Sequence, residues 1–277
     1  MLYLFLLVSL LFSCGYVYFM TGFASLRSIW MVPAAFAVIF VGLLLLFLLL
    51  VVISALVVDR RKEAITSGRW YRFLLTGFTR LAFTLGGVTI HTTGLEKLPK
   101  GQRVLLVSNH KVALDPLIYY LAMPELQLAF MAKKEAFSFP LVAQYMHKLR
   151  CLPVDRENDR AALRSIIKAI EYLKKDLASI AVFPEGGTNR TDALLLSYKN
   201  GVFKIAQKAN VPIVVCAVTN TRDILKNLFR RHTDVYLDVL GVLPPDGFSG
   251  CTTIDIGGSV RAIMEDGLRQ RASAIHA

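Results

Sequence analysis

Val104-Leu105-Leu106-Val107-Ser108-Asn109-His110-Lys111-Val112-Ala113-Leu114-Asp115-Pro116-Leu117 is the stretch on which the fold turns. The apolar run Val104 to Val107 reads as a buried strand. Asp115-Pro116 reads as a helix start, an N-cap residue followed by proline at the first helical position. His110 and Asp115 stand five residues apart. On one continuous helix they would point about 140° away from each other, at ~3.6 residues per turn. A turn between strand and helix removes that difficulty. It leaves His110 in the turn and Asp115 at the helix mouth, close enough for the carboxylate to orient the imidazole. Such a pair can deprotonate a hydroxyl that a substrate brings. Backbone N–H groups in the turn after His110 are candidate donors to an oxyanion.

Working outward, short apolar runs alternate with stretches of helical periodicity. Val88–Thr92, Arg103–Val107, Leu128–Ala132, Leu152–Val154, Ile180–Phe183, Val211–Val218 and Val235–Val242 read as strands. Helices are expected over Pro116–Ala122, Pro140–Leu149, Arg160–Lys175, Gly201–Lys208 and about Ser259–Ser273. The alternation defines an α/β domain over 88–277, a mixed, largely parallel sheet flanked by helices.

Ahead of it the chain is far more apolar. Hydrophobic residues make up 55% of the whole and the mean hydropathy is +0.50. Arg27 is the single charge in residues 1–58, and both Leu2 to Met20 and Trp30 to Val58 are charge-free. A spanning helix needs about 20 such residues. Residues 1–58 therefore read as a membrane anchor of two apolar helices. A signal peptide is the competing reading of the first run, but no basic segment precedes the run. Asp59-Arg60-Arg61-Lys62 follows the second run at once, and basic clusters stay on the cytoplasmic side. The catalytic domain is thus expected at the membrane, facing the cytoplasm.

Between anchor and domain, residues 59–87 carry Arg69, Arg72, Thr76 and Arg80 on one helical stripe, with Trp70, Phe73, Leu74, Phe78 and Leu81 largely off it. Two readings stand open and do not exclude each other: an amphipathic helix at the membrane interface, and a helix facing the domain core. The net charge of +12 suits an anionic leaflet or phosphate ligands. Zinc-finger spacing, an RNA-recognition signature and a basic zipper are all missing, which argues against nucleic acid. Cys14, Cys151, Cys216 and Cys251 are scattered without metal or redox spacing, so free thiols and no metal are expected.

Three further blocks carry candidate chemistry. Cys151-Leu152-Pro153-Val154-Asp155-Arg156 ends a short strand on an arginine, whose planar fork suits a phosphate. Val182-Phe183-Pro184-Glu185-Gly186-Gly187-Thr188-Asn189-Arg190 turns sharply after a strand, where glycines can bring N–H groups close to an anion. Asn210-Val211-Pro212-Ile213-Val214-Val215 is apolar, and reads as core or as the wall of an acyl pocket.

Taken in this order, the four blocks resemble the glycerolipid acyltransferase family, whose best-known members are the 1-acylglycerol-3-phosphate acyltransferases. The resemblance covers roughly residues 85–220. It implies transfer of a fatty acyl group from a thioester, acyl-CoA or acyl-acyl carrier protein, to the sn-2 hydroxyl of lysophosphatidic acid, giving phosphatidic acid without a cofactor. His110 would be the general base and Asp115 its orienting partner. Asn109, Arg156, Glu185, Gly186, Gly187, Thr188 and Arg190 would surround the acceptor. The chain departs from the family where Gly187 and Thr188 stand in place of a Thr-Arg pair, with Arg190 two residues further on. That keeps open a different lysolipid acceptor, or a silent lipid-binding protein. A lipase is disfavoured, because no Gly-x-Ser-x-Gly elbow occurs.

Overall fold

The computed structural model describes residues 1–23, 26–62 and 68–276, except the side chains of 26–28 and 276. Residues 63–67 of the segment joining anchor and domain lie outside the described residues. Two apolar helices come first, α1 (Leu2–Thr21) and α2 (Leu26–Leu56). Both are long and apolar enough to cross a membrane. They pair as an antiparallel hairpin, Phe5 of α1 meeting Phe47 of α2 edge-on at 5.9 Å between ring centroids. Most of their large side chains are exposed.

Helix α3 (Arg69–Leu85) joins this hairpin to the domain. Ser54 of α2 accepts from Trp70 Nε1 at 3.3 Å through Oγ and from the Tyr71 hydroxyl at 3.1 Å through its carbonyl. Further along, Phe47 lies against Gly77, close enough that a Cβ there would sit 3.3 Å from its ring. These contacts make α2 and α3 antiparallel. Leu74 and Leu81 are buried on the face toward α2, in one cluster with Phe47, whereas Phe83 enters the domain core with Leu75 packed against it, so the helix also covers the domain. The basic stripe is divided. Arg69 and Arg80 are exposed, whereas Arg72 turns inward over the Tyr120 ring at 5.4 Å. Burial there lowers its pKa from the ordinary arginine value.

The seven strands are β1 (Val88–Thr93), β2 (Leu105–Ser108), β3 (Leu128–Lys133), β4 (Leu152–Val154), β5 (Ser179–Val182), β6 (Ile213–Thr219) and β7 (Thr233–Leu243). They form one sheet in the order β1-β7-β6-β2-β5-β3-β4. Every adjacent pair is parallel except β6 with β7. The central strands are buried on both faces, which is why they read as unbroken apolar runs. Leu106, Val214 and Cys216 face one core with α3 and α4 (Asp115–Ala122). Leu105, Val107, Ile213 and Val215 face the other, under α6 (Asp159–Lys174), α7 (Lys204–Ala209) and α9 (Thr253–His276). The Val-Pro-Ile block is thus core: Val211 and Pro212 lead into β6, and Ile213 opens it. Two short helices complete the fold, α5 (Val142–Lys148) and α8 (Asp223–Asn227); α8 has no counterpart in the sequence reading.

Topology fixes what shares an edge. The C-terminal ends of β2, β4, β5 and β6 lie on one side, and ligands of open α/β sheets bind at such an edge. Strands β1 and β7 run the other way, so their starts, and the end of α3, lie on that same side.

Candidate active site

The turn after β2 is built by Asp115. Its Oδ2 accepts from His110 Nδ1 at 2.8 Å, Lys111 N at 2.7 Å and Val112 N at 3.0 Å. Asp115 is wholly buried. Its other oxygen, Oδ1, has no partner among the described residues. This corrects the expected N-cap: Leu114 takes that position, and the Asp115 carboxylate reaches back into the turn instead of forward into α4. It also removes two expected oxyanion donors, since the Lys111 and Val112 amides are already committed to the carboxylate.

His110 is held on every side but one. Its N–H donates to Glu185 Oε1 at 2.9 Å, and its carbonyl accepts from Asn189 N at 2.7 Å. The Phe183 ring stacks on the imidazole, centroids 4.1 Å apart and 9° from parallel. With Nδ1 against Asp115, the proton of the neutral ring belongs on Nδ1, and Nε2 carries the free lone pair. Nε2 has no hydrogen-bond partner among the described residues, and the side chain is 15% exposed. The imidazole is therefore oriented by Asp115, with Nε2 left unpartnered among the described residues.

The loop after β5 is sewn to this turn. Glu185 is buried, and its second oxygen accepts from Leu196 N at 2.8 Å. Both oxygens thus hold backbone, which makes Glu185 a positioning group. Gly186 adopts φ 71°, a left-handed conformation that favours glycine. Arg156 arrives from the end of β4, and a Cβ on Gly187 would lie 3.4 Å from Arg156 Nη1. Arg156, Gly186, Gly187 and Thr188 are therefore together at the edge that carries His110. Arg190 is exposed on the loop and forms no ion pair among the described residues. Asn109 turns away from any ligand: fully buried, it pairs with Val218, donating Nδ2–H to the carbonyl at 2.9 Å and accepting N–H at 2.8 Å. It ties β2 to β6 at the root of the turn.

Three residues of the site escaped the sequence reading. Asn189 is fully buried and closes the loop on itself, donating from Nδ2 to Ala193 O at 2.8 Å. Arg222, beyond the end of β6, donates from Nη2 to the carbonyls of Asn189 and Thr191. Lys111 donates to Leu194 O at 3.0 Å. Burial lowers the Lys111 pKa from its usual value, an effect opposed in part by the Glu185 carboxylate. Lys111 lies inside the His-Asp block and could have been noted for its charge. Nothing in the residues near Arg222 marks it.

A His–Asp pair without an adjoining serine thus stands at the strand edge of an α/β sheet, an edge that also carries an arginine and a glycine turn. Residues 89–219 match the acyltransferase family model. A 1-acyl-sn-glycerol-3-phosphate acyltransferase of Borreliella burgdorferi is 32% identical over 164 residues, covering 58% of this chain and 64% of that protein. One of Limnanthes alba is 30% identical over 157 residues, covering 57% of this chain and 53% of that one. The matched regions thus span less than two thirds of either relative. The crystal structure of the 1-acyl-sn-glycerophosphate acyltransferase PlsC of Thermotoga maritima aligns with a TM-score of 0.63 at 25% identity, over 80% of this chain and 87% of that one. Over residues 89–219 the chain is thus similar to acyltransferases that act on 1-acyl-sn-glycerol-3-phosphate.

Proposed function

We propose that this chain is a membrane-bound acyltransferase that moves a fatty acyl group from a thioester to the sn-2 hydroxyl of lysophosphatidic acid, giving phosphatidic acid. The observation that carries the reading is the 2.8 Å contact of His110 Nδ1 with a fully buried Asp115, which leaves Nε2 without a partner among the described residues, at the strand edge that also carries Arg156 and the Gly186-Gly187 turn. The names of the relatives support the acceptor.

The acceptor hydroxyl gives its proton to His110 Nε2 as its oxygen attacks the thioester carbonyl. The tetrahedral intermediate collapses, the C–S bond breaks, and the departing thiolate takes the proton back from the imidazolium. Asp115 stabilises that imidazolium and fixes its tautomer. A positioned base contributes roughly 10²–10⁴-fold. Arg156 and the loop amides hold the acceptor phosphate, and the donor is acyl-CoA or acyl-acyl carrier protein. The basic cluster Arg60-Arg61-Lys62 keeps the domain on the cytoplasmic side. Because Arg190 stands exposed where the loop departs from the family pattern, a different lysophospholipid is the second reading of the acceptor.

The test is acyl transfer by membranes carrying the chain, with several lysophospholipids crossed against both donors. Preferred use of lysophosphatidic acid supports the proposal. Preference for another lysolipid moves the acceptor, and transfer to none of them rejects the activity.

A further inference from the structure

The edge of the sheet that carries His110 has a second feature, unused by acyl transfer. After β6 the chain forms α8 and returns to β7 through residues 228–232. Leu225 and Phe229 on this excursion are 64% and 76% exposed. Phe229 also has φ 59°, a backbone conformation that a bulky side chain seldom adopts. Around them stand Lys226, Arg230 and Arg231, all exposed. Lys226 approaches Asp223 at 3.8 Å, while Arg230 and Arg231 form no ion pair among the described residues. Two large apolar side chains ringed by exposed cations are poorly suited to water and well suited to the surface of an anionic bilayer.

Placement names the same partner. Leu228 lies against the end of α3, where a Cβ on Gly86 would meet its Cδ1 at 2.7 Å. Thr233 N donates to Gly87 O at 2.8 Å. Helix α2 runs antiparallel to α3 from the Ser54–Trp70 contact to the Phe47–Gly77 contact, then continues past it. From Phe47 back to Leu26 is about 30 Å of helix, against about 12 Å from Gly77 to the end of α3, at ~1.5 Å per residue. The apolar hairpin therefore projects roughly 20 Å beyond α3 on the side where the 225–232 segment emerges.

We infer that residues 225–232 form a second membrane contact, with Leu225 and Phe229 inserted at the headgroup level of a leaflet containing anionic lipid and Lys226, Arg230 and Arg231 on lipid phosphates. The inference rests on reading α1 and α2 as membrane segments. It gives the edge that holds His110 two points of attachment. The second is coupled to the loop after β5, because Arg222 joins α8 to the carbonyls of Asn189 and Thr191.

The test uses the full chain reconstituted into phosphatidylcholine vesicles with brominated acyl chains, with and without phosphatidylglycerol. Phe229→Trp reports the segment. Phe19→Trp, at an exposed position of α1, reports the anchor. The emission each variant adds to that of the parent is compared. Both are expected to be blue-shifted and quenched by the brominated chains. At 229 the quenching should deepen with phosphatidylglycerol, and that dependence should vanish in an Arg230→Glu/Arg231→Glu background. Quenching at 19 beside water-like, unquenched emission at 229 overturns the inference, including the case where emission at 229 shifts with protein concentration because a second copy covers it. Quenching at neither position rejects the membrane reading of the hairpin, and the inference with it.

Discussion

Asp115 does more than orient a ring. One of its oxygens holds the imidazole and two backbone amides, so the carboxylate shapes the turn as well as the base. In Asp115→Asn the amide oxygen can still accept from the backbone. An NH2 facing His110 Nδ1, however, favours the tautomer with its proton on Nε2, where no base remains. Turnover should fall by roughly 10²–10⁴-fold, with a smaller loss of melting temperature. Unchanged turnover with a lowered melting temperature would leave Asp115 only a structural role. Arg156 and Arg190 separate in the same way. Arg156 stands at the glycine turn, and a charged hydrogen bond to phosphate contributes about 1.5–3 kcal/mol. Arg156→Ala should therefore weaken acceptor use about 10–150-fold and spare the thioester. Arg190→Ala should do less, since its side chain is exposed and unpaired. Steady-state kinetics with each substrate varied separately decide both, and equal effects on donor and acceptor would contradict a phosphate role.

The elements were legible wherever a local pattern decides them. The seven strand-like stretches became the seven strands: β2, β5 and β6, buried on both faces, are nearly all apolar, whereas β1 and β7 are partly exposed and carry polar residues. Patterns failed where packing overrules propensity. Helix α9 begins at Thr253, six residues before its expected start, and runs through Gly257-Gly258. Thr252 and Asp255 cap each other there, Thr252 N donating to Asp255 Oδ2 at 2.9 Å and Asp255 N to Thr252 Oγ1 at 3.2 Å. Gly257 itself is pressed against the chain, and a Cβ would sit 2.2 Å from Asn200 Oδ1. Gly257→Ala gains about 1 kcal/mol of helix propensity. It loses about 1–3 kcal/mol to overpacking. The variant should be the less stable one by denaturant titration, and a gain would mean that Asn200 swings aside freely. In the site, Asn109 and Glu185 were legible by position and illegible by role. Whether a polar side chain faces ligand or backbone depends on residues such as Val218 and Leu196, far away in sequence.

At the scale of the whole molecule the anchor and the domain share a surface. Phe47 packs on α3 with Leu74, Leu81 and Tyr145 in one cluster, and Tyr145 donates to Val51 O at 3.1 Å. Composition had separated residues 1–58 from the remainder, but a change in composition says nothing about contacts across it. Deleting residues 1–58 should lower the melting temperature and expose apolar surface that binds a hydrophobic dye. The remaining chain should still bind anionic vesicles weakly, and less so as salt rises. Equal binding to neutral and anionic vesicles would exclude the electrostatic part.

In the proposed reaction the proton of the acceptor hydroxyl goes to one nitrogen, His110 Nε2. The most direct test is the turnover of purified His110→Ala with lysophosphatidic acid and an acyl thioester, beside its melting temperature and vesicle association. The result expected is a loss of at least about 10²-fold in turnover, with fold and membrane association retained. Turnover near that of the unmodified chain would contradict general-base catalysis by this histidine.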